Sequence, residues 1–225
     1  MFSESLKTIR EFGIFLLNPK PTVETKKRKG ELLILFIFAF FLIKIIDISI
    51  SLFFEVVPPS VPHISTVSIW VILWGFVSIP FLEEIWFRLF LNLKNRWIFG
   101  IGIFAFLYFS FNLLEMNVQQ FQFVNDNNRL FFYLGFLFFS LLIFIPKVFE
   151  TIKSFLTKNY FYFFYFICLF FAFVHFWNGG NLGFQIGSVI TPLIGSVFLG
   201  FIRNKYNIQT AILFHFLYNL AVGVF

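Results

Sequence analysis

Residues 81–90 read FLEEIWFRLF, so Glu83, Glu84 and Arg88 sit in a run that is otherwise apolar and aromatic. Ionisable groups at membrane depth are costly, and persist where they face a bundle interior or a watery cavity. Glu84 and Arg88 are four residues apart and share a helix face, with the acid on the favoured N-terminal side. Arg88 is therefore expected to neutralise and anchor Glu84. Glu83 is turned about 100° away and stands ready to take a proton from water as a general base, its strength set by burial against the nearby guanidinium. Pro80 precedes the pair, where a kink opens backbone groups toward a cavity. The plainer alternative is a buried ion pair that locks two helices.

A second set of polar residues lies near the C-terminus. His215 and Asn219, again four apart, project together, and both can donate hydrogen bonds to an oxyanion. His175 follows Phe171 by four, an aromatic placed to wall the site and orient the imidazole. Each histidine alone reads as a satisfied core residue; with two glutamates and an asparagine in so apolar a chain, chemistry is the better reading. His63 neighbours Pro62 in an expected outer loop, without an evident partner. Lys44 and Asp47, three apart, read as a structural pair. Gly-rich phosphate loops, an HExxH helix and a Gly-x-Ser-x-Gly elbow are all absent from the sequence. A zinc or other divalent metal held by Glu83, His175 and His215 is chemically allowed, beside a metal-free glutamate-activated water.

The elements that must position these groups are membrane helices. The 225 residues are 59% hydrophobic, 24% aromatic and only 12% charged, far from a soluble domain. The 42 phenylalanines read as a codon bias toward A and T, in keeping with a bacterial cell membrane. Basic residues fall in short gaps between apolar runs, so the net charge of +6 is not a nucleic-acid footprint. Cys168, the single cysteine, reads as a buried inert thiol. No cleavable signal pattern is expected, because the first apolar run begins near Leu32 and is long enough to span.

The apolar pattern predicts an all-α polytopic protein. Residues 1–30 form a cytoplasmic or interfacial segment, with Phe2, Leu6, Ile9, Gly13 and Leu16 on one face of a surface helix before the basic cluster Lys26 to Lys29. Residues 31–225 form one membrane domain of about seven spans: 31–54, 65–93, 97–114, 130–146, 160–177, 182–202 and 208–225. With the N-terminus cytoplasmic, fourteen basic residues lie inside and only Arg129 outside. Residues 147–158 read as an interfacial helix joining spans four and five. The sixth span, with Gly183, Gly187, Gly195, Ser196 and Gly200, is expected to be central and closely packed.

Three motifs in order, Glu83-Glu84-Ile85-Trp86-Phe87-Arg88, Phe171-Ala172-Phe173-Val174-His175 and His215-Phe216-Leu217-Tyr218-Asn219, resemble the CPBP family of intramembrane proteases. That family includes type II CAAX prenyl endopeptidases and bacteriocin-processing or immunity (Abi) proteins. The resemblance covers residues 65–225. It implies hydrolysis of a peptide bond in a membrane-associated peptide or protein. In such a reaction Glu83 and His175 would activate water, Glu84 and Arg88 would support the site, and His215 and Asn219 would hold the oxyanion. The family is often labelled metalloprotease, and a metal-free glutamate mechanism is also proposed for it.

Two departures stand out. Leu89 replaces a common glycine after the arginine, and 91 positions separate Glu84 from His175, which implies an inserted hairpin at about 97–147. Counted along ideal helices, His175 lies about 10 Å nearer the outer end than Glu83 and His215, so span five must start late, tilt or break. A non-catalytic role in bacteriocin immunity or in binding a peptide or partner is the alternative. A proton-coupled transporter ranks last, because no inverted repeat is visible.

Overall fold

The computed structural model describes residues 2–21, 30–57, 77–117, 126–178 and 180–224. His63, Lys26 to Lys29, the Pro58–Pro62 gap and the first part of the expected second span lie outside the described residues. Among those described, every regular element is helical: α1 Phe2–Leu17, α2 Glu31–Phe53, α3 Ile79–Arg88, α4 Arg96–Asn117, α5 Asp126–Leu142, α6 Pro146–Lys158, α7 Tyr160–Val174, α8 Leu182–Lys205 and α9 Ile208–Val224. Single 3-10 turns follow α3 (Leu89–Leu91) and α7 (His175–Asn178). The helices fall into two compact units, Met1–Phe81 with Phe161–Phe225, and Leu82–Tyr160.

Among the described residues three helices are long and apolar enough to cross a membrane: Glu31–Phe53, Arg96–Leu113 and Leu182–Lys205. They match the first, third and sixth expected spans. The fourth corresponds to one arm of a pair, Asn128–Leu142 and Pro146–Lys158, bent by 92° and counted as a fourth crossing only if both arms form one span. Pro146 opens the second arm; it has no N–H for an upstream carbonyl and suits a helix start. The fifth and seventh expected spans are shorter apolar helices, Tyr160–Val174 and Ile208–Ala221. Large apolar side chains such as Phe131, Phe138, Phe166 and Leu169 face outward, a surface compatible with lipid.

In the first unit α8 is the hub, touching α1, α2, α9 and the 3-10 turn after α7. Its small residues work unevenly. A Cβ on Gly200 would lie 2.5 Å from the Phe164 ring, and one on Gly183 would collide with the Glu55 carbonyl, so both allow close approach. A Cβ on Gly187 or Gly195 would meet no described atom within 4 Å. Entry into α8 is set by Asn181, whose side chain caps Phe184 N–H at 3.0 Å, accepts from Val57 N–H at 3.1 Å and donates to Glu55 O at 2.6 Å.

Helix α1 departs from the expected surface helix. It buries Thr8, Phe12 and Phe15, a different stripe from the one the spacing picked out, while Leu6, Ile14 and Leu17 stay exposed. Phe12 stacks on Phe198 at 4.1 Å and Phe15 meets Phe164 edge-on at 5.1 Å. The helix is apolar on two faces, and the aromatic one gains more by packing on protein.

In the second unit, Trp86 stacks on Phe109 at 4.1 Å, and Phe87 and Phe90 pack on Phe106. Gly102 lets α4 close onto the backbone of Phe90, where a Cβ would collide. Helix α4 thus packs closely on α3, which carries Glu83, and on the 3-10 turn that follows it. Arg129, the one basic residue expected outside, pairs with Glu115 at 2.6 Å.

Candidate functional site

On α3, the ion pair anticipated from spacing is made. Arg88 Nη1 donates to Glu84 Oε1, and both residues are buried. Glu83, on the adjacent face, is half-buried. The helix ends at Arg88 (φ −130°), and Leu89 opens the 3-10 turn. No non-glycine residue described has a positive φ, so a leucine is tolerated here without backbone strain.

The histidines form a second constellation, wholly within the first unit. His175 stands where α7 gives way to the 3-10 turn, and its Nδ1 lies 2.8 Å from the carbonyl of Phe171. A carbonyl only accepts, so in the neutral imidazole the proton sits on Nδ1 and the lone pair on Nε2. The Phe171 ring lies 4.8 Å from the His175 ring and 6.3 Å from that of His215 on α9. One aromatic therefore spaces both imidazoles. The α-helix stops at Val174, and His175 is the first residue of the 3-10 turn that follows. His215 is buried and Asn219, one turn on, is half-buried.

The back of the site is α8. The Ser188 hydroxyl lies 3.1 Å from the carbonyl of His175 and 2.9 Å from that of Gln185. Pro192, inside α8, has no N–H for the Ser188 carbonyl, so the helix is loosened at this turn. One turn on, Thr191 donates to Asp47 of α2 at 2.5 Å. Asp47 and Lys44 do not pair, contrary to their spacing; Lys44 lies over the Phe40 ring at 5.7 Å.

A second polar cluster, unforeseen in the sequence, ties α1, α2 and α8 at the other end of the unit. Lys205 donates to Glu31 and, at 2.7 Å, to Glu11; Tyr206 donates to Glu31, and Thr8 lies 3.3 Å from the same carboxylate. Glu31 is in the first turn of α2 and Lys205 in the last turn of α8, each at the helix end its charge favours. The hint in the sequence was an acid at the first position of an apolar run and a lysine at the last.

A structural or catalytic zinc takes at least three protein ligands. Among the described residues no three His, Cys, Asp or Glu side chains are grouped to hold a metal ion. No family model matches the chain, and no curated protein or solved structure matches it either.

Proposed function

We propose that the protein is an intramembrane endopeptidase that cleaves a peptide bond of a membrane-associated substrate with a glutamate-activated water. The observation that carries this reading is the Phe171-spaced pair of imidazoles, with His175 held in one tautomer by a backbone carbonyl. The ordered motifs around Glu83, His175 and His215 supply the rest.

The chain's own side chains suffice to balance the reaction. Glu83 takes a proton from water while His175 Nε2 accepts the water's other hydrogen as a hydrogen bond. The resulting hydroxide forms a bond to the scissile carbonyl carbon, and the carbonyl π pair moves onto oxygen. His215 and Asn219 donate to that oxyanion. The C–N bond then breaks, and the proton held by Glu83 passes to the leaving amine. Glu84 and Arg88 hold α3 in place and neutralise each other. The setting is a bilayer, crossed up to seven times with the N-terminus cytoplasmic as the basic residues indicate, in a bacterial cell membrane.

Purified protein in lipid nanodiscs should cleave an apolar, membrane-tethered reporter peptide, and Glu83→Ala should abolish cleavage while the protein remains folded. Asn219→Ala should lower kcat by about 10²–10³ with little change in KM, as for loss of one oxyanion donor. Full activity in Glu83→Ala would overturn the proposal.

A further inference from the structure

Asp47 is a carboxylate within an apolar helix, about 24 Å along α2 from Glu31 on ideal helix geometry, and nothing in the reaction above uses it. Local spacing assigned it to Lys44, and the structure sends Lys44 elsewhere. Its contact with α8 lies one helical turn from the contact of α8 with the backbone of His175. On α8, Thr191 touches Asp47, and Ser188, one turn earlier, touches the carbonyl of His175. Phe171 joins His175 to His215. Phe36 of α2 packs on Phe214 of α9, the neighbour of His215, at 5.4 Å. The contacts close a ring through α2, α8, α7 and α9. Asp47 is the one acidic side chain in it.

A carboxylate offers about four acceptor positions. Among the described residues Asp47 receives one hydrogen bond, from Thr191, and is half-buried. Gly187 and Gly195, each one turn from Thr191, bring no side chain to that part of α8, and an added Cβ there would meet no described atom within 4 Å. A half-buried negative charge in an apolar helix, with acceptor capacity beyond its bond to Thr191, is complementary to a cation.

We propose that Asp47 is the charged wall of a subsite that takes a basic side chain, lysine or arginine, of a membrane-associated peptide. Thr191 holds the carboxylate in position. The inference rests on the reading of a peptide substrate, and it adds a preference for residue type that the hydrolytic groups do not supply. The long aliphatic stem of such a side chain suits the apolar wall, with the charged head at the carboxylate.

The test is binding, read separately from cleavage. Two fluorescent apolar peptides, identical except for one lysine or Nε-acetyl-lysine, are titrated onto the full-length protein in nanodiscs. Wild type should bind the lysine probe at least about tenfold tighter, the scale of one desolvated charge-assisted contact. Asp47→Asn, close in shape, should abolish that preference and leave the acetyl-lysine affinity unchanged; Asp47→Glu should retain it. No lysine preference in wild type, or the same preference in Asp47→Asn, overturns the proposal. Cleavage of the same probes separates the two readings. A lysine preference without cleavage leaves the subsite standing and removes the peptidase, whereas cleavage without preference does the reverse.

Discussion

The Glu84–Arg88 pair has an energetic signature that distinguishes it from a surface salt bridge. Both side chains are buried, at 0% and 3% exposure, so neither can recover water if the other is removed. Glu84→Ala and Arg88→Ala should each lower stability by about 3–5 kcal/mol, through the uncompensated charge left behind. The double variant Glu84→Gln with Arg88→Met should cost less than the sum of the single changes, measured by denaturant unfolding in mixed micelles. This pair was legible because its partners are on one helix at an i, i+4 spacing. Lys44 and Asp47 looked equally legible and were not. The true partner of Asp47, Thr191, lies 144 positions away, and no local spacing encodes a contact at that range. Phe171 and His175 fall between these cases, since their spacing predicted the contact and the short backbone hydrogen bond explains why it is oriented.

Glycines divide α8 into two kinds of position. Gly200→Ala would set a methyl against the Phe164 ring and force that buried ring to shift, so it should destabilise by about 1–3 kcal/mol, the usual cost of overpacking. Gly187→Ala meets open space and should be neutral or stabilising by up to about 1 kcal/mol, from helix propensity alone. Thermal unfolding of the two variants side by side checks the contrast. The sequence marked both glycines as packing residues, because composition cannot tell which side of a helix a neighbour will cover. The same limit explains α1. Its apolar residues cover most of the wheel, and a choice of stripe needs Phe198, Phe201 and Phe164, which come from distant helices. The 92° break between α5 and α6 was legible, since Pro146 and the change from apolar to amphipathic both announce it.

At the scale of the molecule, phenylalanine both reveals and obscures. It makes the helical, membrane-compatible class plain, yet helices such as α2 and α7 are apolar all round, so periodicity cannot say which face is inward. The cluster on Lys205 decides that orientation at one end of the first unit. Lys205→Ala should take a buried cation from both Glu11 and Glu31 and lower stability by about 3–5 kcal/mol. Loss of α1 docking should accompany it, seen as faster proteolysis after Lys7 or Arg10, while Arg96→Ala, at a half-buried cation stacked on Trp97, should leave α1 protected.

That lysine also imposes an order in time. Glu31 is synthesised 174 residues before Lys205, an interval of roughly 10–40 s at ordinary rates of translation. Through that interval the first helix has neither its counter-ion nor Phe198 and Phe201 to pack on. A helix apolar on two sides is suited to rest on a bilayer surface through such an interval. In the finished fold the aromatic face of α1 is packed on protein, while Leu6, Ile14 and Leu17 remain exposed on the other.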